Sequence, residues 1–188
     1  MKISLPLDEA QWLAGELLVK MQPYCERIAV AGSIRREKEI VGDIEIVCLT
    51  KRKWNTTLFG ERTSLQRNDL FEAQDWQTSV QWIRPAIDVV LPWHIRPDGK
   101  YWRGLIEKKI PLDIFLVEAD NWGIQYLIRT GSADFSKRVV TALRYQKNLP
   151  VYDGFVHDAA GQIVPTPTEE SVFDLLGWKF IEPKERNL

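Results

Sequence analysis

The sequence predicts an α+β fold in which a mixed or antiparallel sheet carries helices on one face. Two observations lead to this prediction. Apolar residues recur at the helical period in residues 7–22 and again after residue 120, whereas residues 26–50 contain short apolar runs of strand length. Several further candidate strands lie close together before residue 118, and adjacent strands beside a helix are typical of an α+β layer.

The composition is that of a chain with a real hydrophobic core. The 188 residues are 45% hydrophobic, which suits one domain or two small ones. The net charge at pH 7 is −1, so the whole chain does not favour a polyanion and any charge that matters must be local. Cys25 and Cys48 lack a metal-ligand spacing, which favours reduced thiols and a cytoplasmic, nucleoid-associated or nuclear protein. The N-terminus has no long apolar run, so we expect neither a signal peptide nor a membrane partner.

The first predicted elements surround a glycine-serine turn. An amphipathic helix is predicted over residues 7–22 and ends at Pro23. Strands are predicted over residues 26–31 and 43–50. The next segment, residues 54–78, is polar and shows no clear period, and a helix near residues 65–75 is the one element predicted there. The remaining predicted strands cover residues 78–83, 86–91, 100–107 and 110–117, with a turn at Asp98-Gly99.

The chain changes character after Val117, where helical patterns replace strands. We therefore expect two parts, residues 1–118 and residues 119–188. The second part is predicted to contain helices over residues 121–129 and 134–147, a strand over residues 151–156, a turn at Gly161, and a last helix over residues 168–176 with Thr168 as its N-cap.

Two acidic residues stand at the start of the strand at residues 43–50. Because alternate residues of a strand share a face, Asp43 and Glu45 point one way while Ile44 and Ile46 point into the core. A buried carboxylate pair is costly without a counter-charge, and close like charges resist joint ionisation. A divalent cation removes both penalties, and Mg²⁺ prefers such oxygen ligands. The pair predicts a metal site, with a solvated strand end as the alternative.

The turn Gly32-Ser33 precedes this pair. Glycine lets a backbone approach a phosphate closely, and Ser33 could cap a short helix whose N–H groups face an anion. Arg35 and Arg36 follow and could bind phosphate with two parallel hydrogen bonds. The turn indicates a nucleotide-phosphate site, and an ordinary solvated turn is the alternative.

A third acidic residue, Asp113, interrupts the apolar strand at residues 110–117. An acid in such a strand needs a cationic partner. It could pair with an arginine at a sheet edge, or it could be a third metal carboxylate beside Asp43 and Glu45. We favour the metal carboxylate because the other two acids already need a cation.

Residues 129–147 carry a local excess of positive charge. Asp134 stands there against five basic side chains, which are Arg129, Lys137, Arg138, Arg144 and Lys147. A basic helix is often only a solvated face, but here it is a candidate track for a nucleic-acid backbone. The basic loop at residues 51–53 is a second candidate.

Three blocks of the sequence together resemble the family X DNA polymerases, which belong to the polymerase-beta-like nucleotidyltransferase superfamily. The first block runs from Gly32 to Glu45, and the second is Leu112-Asp113-Ile114. The third runs from Arg129 to Arg138 and is joined by the tail at residues 176–186. The resemblance implies a nucleotidyltransferase palm over residues 1–118 and a small α+β C-terminal subdomain over residues 119–188, as in a minimal member without the usual N-terminal modules.

The resemblance also implies a chemistry. Asp43, Glu45 and Asp113 would be the catalytic carboxylates and would hold two Mg²⁺ ions, which Mn²⁺ could replace. The reaction would add dNMP from a dNTP to a primer 3′-hydroxyl, in primer-template or gapped DNA, as in short-gap repair. A monomer is expected. The implied nucleotide contacts are Gly32, Ser33, Arg36, Gly42, Gly131 and Ser132, and the expected DNA contacts are Lys137, Arg138, Arg144 and Lys147.

The sequence departs from the family pattern at three places. Glu45 stands where these polymerases usually have aspartate, and Ile128-Arg129 replaces the aromatic pair that usually precedes Thr-Gly-Ser. Ala133 and Ser136 replace residues that in the family contact the nascent base pair. The first two blocks fit a template-independent nucleotidyltransferase acting on RNA, protein or a small molecule equally well. A non-catalytic module that binds DNA ends is a further alternative.

Overall fold

The computed structural model describes residues 4–51, 84, 100–106 and 109–187. The N-terminal elements are β1 (Leu5–Pro6), α1 (Leu7–Met21), β2 (Cys25–Val30), α2 (Gly32–Arg35), β3 (Ile40–Val41), β4 (Ile44–Thr50), β5 (Tyr101–Ile106) and β6 (Ile110–Val117). The later elements are α3 (Trp122–Thr130), α4 (Ala133–Gln146), β7 (Val151–Tyr152), β8 (Phe155–His157), β9 (Ile163–Val164) and α5 (Glu169–Leu176). The predicted α+β class is confirmed.

Several predicted elements lie outside the described residues. They are the helix near residues 65–75, the strands at residues 78–83 and 86–91, and the turn at residues 98–99. Among the residues that are described, no helix combines the length and the apolar character needed to cross a bilayer.

The central sheet has four strands in the order β2-β4-β6-β5. The middle pair, β4 and β6, is parallel, whereas β2 and β5 pair antiparallel with their neighbours. Side chains of β4 alternate as the sequence predicts, because Ile44, Ile46 and Cys48 belong to the core that α1 covers. A two-stranded ribbon of β1 and β3 lies beside α1.

The other face of the sheet is covered by α3. Val47, Phe115 and Val117 share a buried cluster with Trp122, the first residue of α3. The predicted arrangement placed helices on one face, and α3 now supplies a cover for the second. The sheet is therefore enclosed on both sides, with the odd-numbered positions of β4 facing the C-terminal segment.

The C-terminal segment has a core of its own, formed by α3, α4, α5 and the three-stranded sheet β7-β8-β9. Its helices begin at side-chain caps. Ser132 accepts a hydrogen bond from the Phe135 amide at the start of α4, and Thr168 forms a reciprocal capping box with Ser171 at the start of α5. The predicted N-cap at Thr168 is confirmed. The boundary between residues 118 and 119 stays a prediction.

One local prediction in this segment is wrong. The strand expected over residues 151–156 is a hairpin, because Asp153 (φ 51°) and Gly154 (φ 90°) both adopt positive φ and turn the chain between β7 and β8. His157 in β8 is 6% exposed, and its ring stacks on Tyr152 with the ring centroids 3.5 Å apart.

Candidate active site

The parallel pairing of β4 and β6 brings two of the predicted carboxylates side by side. Glu45 and Asp113 are direct partners in the register of these strands, and both lie on the face that continues to Val47 and Phe115. Asp43 stands one residue before β4. Its charge acts on both Glu45 and Asp113, so the three acids form one acidic centre at the rim of the interface with α3.

Glu45 is the most perturbed acid of this centre. Burial raises the pKa of Glu45 to about 7, and the carboxylates of Asp43 and Asp113 contribute to the rise against the opposing charges of Arg129 and Arg36. Burial is the largest cause of this rise, and the two neighbouring carboxylates add to it.

Gly32 explains where the Glu45 carboxylate lies. A side chain at residue 32 would collide with Glu45 Oε2, and residue 32 has a φ of 63°. Both the positive φ and the close approach require glycine. The Ala31 amide also donates to the Glu45 carbonyl at 2.8 Å, so the turn and β4 are joined by backbone as well.

Asp113 is held by two side chains of β5. Tyr101 Oη donates to Asp113 Oδ1 at 2.9 Å, and Arg103 Nε lies 3.3 Å from the same oxygen. Burial nevertheless raises the pKa of Asp113 above its ordinary value. The arginine partner matches the alternative considered from the sequence, although β6 is an inner strand rather than an edge. Tyr101 was not predicted from the sequence to belong to the site. Strand alternation could have indicated it, because Tyr101 and Arg103 lie on the same face of β5.

The predicted phosphate turn begins α2, but Ser33 is not its cap. The N-cap position is Ala31, and no side chain caps this helix. Ser33 is the second residue of α2, and its buried Oγ has no hydrogen-bond partner in the part of the chain that the structure describes. A buried hydroxyl without a partner is uncommon. It is the observation at this turn that best suits a bound phosphate oxygen.

The two arginines after the turn reach into the C-terminal segment. Arg35 forms a bidentate ion pair with Glu169, at 2.7 and 2.6 Å, so the structure gives it a carboxylate partner, and its phosphate contact stays a prediction. Arg36 donates from Nη1 to the Thr130 carbonyl and from Nε to Asn187 Oδ1 at 3.0 Å. Burial lowers the pKa of Arg36 against the opposing charges of Glu45 and Asp43, which places this guanidinium near the acidic centre.

The contact of Arg36 with Thr130 brings the remaining predicted nucleotide residues near the turn. Gly131 follows Thr130, and a side chain there would lie 2.5 Å from a ring carbon of Phe135. Ser132 is the N-cap of α4, and its amide donates to the Arg186 carbonyl at 2.9 Å. Gly42 lies in the bend immediately before Asp43.

Sequence reasoning also missed Arg129 as a member of the site. It stands in the last turn of α3, with its guanidinium carbon 4.0 Å from the centroid of the Phe115 ring. Burial lowers the pKa of Arg129, against the opposing charges of Glu45, Tyr101 and Asp113. The departure of Ile128-Arg129 from the family pattern is the sequence feature that could have indicated this role.

The predicted DNA contacts share the solvent face of α4 and its end. Lys137, Arg138, Arg144 and Lys147 are all exposed. Lys137 and Arg138 line an open cavity of about 420 Å³ together with Trp178, whose ring lies 4.9 Å from the Arg138 guanidinium. Of the alternative basic loop, residues 52 and 53 lie outside the described residues.

The donor set suits a divalent cation, although its side chains are turned to other partners. Three carboxylates are the hard oxygen ligands that Mg²⁺ and Mn²⁺ take, and the charges of Asp43 and Asp113 both oppose ionisation of Glu45. Within residues 4–51, 100–106 and 109–187, no three acidic, histidine or cysteine side chains are grouped closely enough to hold a metal. Glu45 rests against Gly32 and Asp113 is held by β5, so ion binding requires these side chains to turn.

Two comparisons relate the chain to known DNA polymerases. Residues 125–187 match the family model of the DNA polymerase beta thumb. DNA polymerase lambda of Rattus norvegicus is 37% identical over 87 residues, which cover 40% of this chain and 15% of that protein. The matched region is thus a small part of the relative's length.

Proposed function

We propose that the chain is a DNA-directed DNA polymerase of family X type, and the match of residues 125–187 to the family model of the DNA polymerase beta thumb supports this proposal. It would add dNMP from a dNTP to a primer 3′-hydroxyl and would act as a monomer on short gaps in DNA repair. The observation that carries this proposal is the register of β4 and β6, which sets Glu45 beside Asp113 within electrostatic reach of Asp43.

The acidic centre supplies the residues that nucleotidyl transfer requires. Asp43, Glu45 and Asp113 would hold two Mg²⁺ or Mn²⁺ ions, which when bound acidify the attacking hydroxyl and neutralise the departing pyrophosphate. The primer oxygen forms a bond to the α-phosphorus of the dNTP as the bond between that phosphorus and pyrophosphate breaks. Before the ions bind, Tyr101 holds Asp113 in place through its 2.9 Å hydrogen bond.

The phosphate turn supports the nucleotide part of the proposal. The buried Ser33 Oγ offers a donor that the described residues do not use, and Arg36 adds a positive charge beside Asp43 and Glu45. A triphosphate on this turn would lie next to the carboxylates. Gly131 and Ser132 are joined to the same place through the contact of Arg36 with Thr130.

The exposed face of α4 supports the DNA part. Four exposed basic side chains lie on α4 and at its C-terminal end, in a chain whose net charge is −1, so they form a local attraction for a phosphate backbone. The thumb match covers this helix completely. We therefore place the DNA along α4.

The deciding experiment is primer extension on DNA with a one-nucleotide gap. Each dNTP is supplied separately, with Mg²⁺ or Mn²⁺, and the substrate is offered with and without its template strand. We expect incorporation of the complementary nucleotide and little extension without template. Equal addition of all four nucleotides without template would favour the template-independent transferase instead. No incorporation on any substrate, with intact DNA-end binding, would favour the non-catalytic module.

A further inference from the structure

We propose that Arg129 is a built-in counter-cation of the acidic centre, which competes with divalent ions for Glu45 and Asp113. This inference rests on the proposed function, because it assumes that these carboxylates hold metal. Arg129 is a positioning residue in this account. It keeps the acids together before ions arrive and lowers their affinity for ions that arrive without a nucleotide.

The first support is the placement of Arg129. It is carried on α3, the helix that covers the second face of the sheet, and its guanidinium lies 4.0 Å from the centroid of the Phe115 ring. Phe115 is two residues after Asp113 on the same strand face. The aromatic ring therefore holds the cation beside the carboxylates without supplying a charge of its own.

The second support is the hydrogen bonding of the arginines around the site. Arg35 and Arg186 are joined to Glu169, and Arg36 is joined to Thr130 and Asn187. By contrast, Arg129 Nε is buried and has no hydrogen-bond partner within the described parts of the chain. The guanidinium is therefore held in place chiefly by the nearby charges and by the Phe115 ring.

The third support is the sign of the local charges. Arg129 opposes the rise in the pKa of both Glu45 and Asp113, so it acts on the same two groups that a divalent ion would join. A divalent ion that enters this centre is repelled by Arg129 and displaces it from the acids. The displaced guanidinium then lacks an anion, and a nucleoside triphosphate bound with the ion supplies one. Metal ions should therefore bind weakly alone and more tightly with a dNTP.

The test is a Mn²⁺ titration of the full chain without primer, in which free Mn²⁺ is followed by electron paramagnetic resonance. Arg129→Met keeps a long stem over Phe115 and removes the charge, whereas Arg129→Lys keeps the charge. Lys20→Met removes an exposed charge from α1 and is the matched control. Each protein is titrated with and without a dNTP.

We expect Arg129→Met to bind Mn²⁺ without nucleotide at least about tenfold more tightly than the wild type, since the variant lacks a unit positive charge that repels the ion. The gain in affinity on adding a dNTP should shrink in this variant. Arg129→Lys and Lys20→Met should behave like the wild type. Arg129→Gln replaces Arg129→Met if circular dichroism shows that the methionine variant is unfolded.

The outcomes separate this inference from the proposed function. Mn²⁺ binding by the wild type with an unchanged affinity in the charge-removing variant overturns the role of Arg129 and leaves the metal site in place. Absence of Mn²⁺ binding in every variant overturns both the metal site and the inference that depends on it. Binding that appears only when Arg129 is neutralised supports the inference.

Discussion

Glu169 connects Arg35 of α2 with Arg186 near the C-terminus, and its replacement should strongly destabilise the protein. It is the first residue of α5 and is 6% exposed. Its carboxylate accepts hydrogen bonds from Arg35 at 2.7 and 2.6 Å and from Arg186 Nη1 at 2.6 Å. Arg186 is fully buried and Arg35 is 20% exposed, so one carboxylate neutralises two arginines inside the protein.

The loss of unfolding free energy expected for Glu169→Ala depends on which hydrogen bonds the two arginines retain. Removing one partner of a buried ion pair costs about 3–5 kcal/mol, because the other charge stays buried. Arg186 keeps its bond to the Ile181 carbonyl, and Arg35 keeps its bond to Thr130 Oγ1. These remaining bonds favour the lower end, about 3 kcal/mol. For a chain of this size the melting temperature should fall by about 6–12 °C.

Urea unfolding followed by tryptophan fluorescence measures this cost, with Glu170→Ala as the matched control. Glu170 is the next residue and is exposed, so its replacement removes a carboxylate of the same helix turn without touching the arginines. Comparable losses of unfolding free energy in the two variants would refute the reasoning. A loss confined to Glu169→Ala is the expected result.

The interaction of Glu169 with Arg35 and Arg186 should also make the stability of the protein depend on pH. Burial raises the pKa of Glu169, but the hydrogen bonds from Arg35 and Arg186 lower it more and leave it below its ordinary value. The stabilisation from an acid with a lowered pKa is fully present above the unfolded value, about 4.3, and is lost as the pH falls through the folded value. The difference in stability between wild type and Glu169→Ala should therefore narrow below about pH 4.

Three further predictions concern the proposed catalytic and DNA-binding residues. Asp113→Ala should abolish gap filling without loss of structure by circular dichroism, because one of three repelling acids is removed; near-normal turnover would contradict the metal assignment. Glu45→Gln should raise the free energy of unfolding in urea by about 2–3 kcal/mol at pH 8 and leave it almost unchanged at pH 4. The reason is that the pKa of Glu45 is about 7 in the folded protein and lower in the unfolded chain, so the wild type loses stability as the pH rises through 7. An equal gain at both pH values would show that the charge of Glu45 is not the cause. Charge reversal of Lys137, Arg144 and Lys147 together should weaken DNA binding and reduce the slope of log affinity against log salt by about 2–3 in a fluorescence-anisotropy titration. An unchanged slope would move the DNA away from α4.

The sequence was most informative where a periodic pattern meets a strong local signal. The predicted helix over residues 7–22 is α1 at Leu7–Met21, and the strand predicted over residues 110–117 is β6 with the same bounds. Alternation alone assigned Glu45 and Ile46 to opposite faces, and the two buried clusters agree. Hydrophobic periodicity and helix capping depend on residues that lie close together in the chain, so they can be predicted from a single sequence.

Contacts between distant residues could not be predicted in this way. Arg35 was expected to bind phosphate, but its partner Glu169 lies 134 residues later in the chain. The sequence shows that a buried acid such as Asp113 needs a partner, yet the register of β5 decides that Tyr101 and Arg103 are the side chains that meet it. Short strands such as β1 and β3 also lack a period, because two residues cannot alternate.

The interface between the sheet and α3 explains why the acidic centre depends on the C-terminal segment. Arginines stack on aromatic rings along this interface, Arg27 on Trp122 at 4.1 Å and Arg35 on Tyr126 at 3.8 Å. Arg129 on Phe115 continues the series to the rim, where Glu45 and Asp113 lie. The helix that ends at Thr130 therefore controls two charges at once, its own Arg129 and, through the Thr130 carbonyl, Arg36. A small shift of α3 changes both cations around the carboxylates together, so we expect ion binding at the proposed metal site to be coupled to the position of the C-terminal segment.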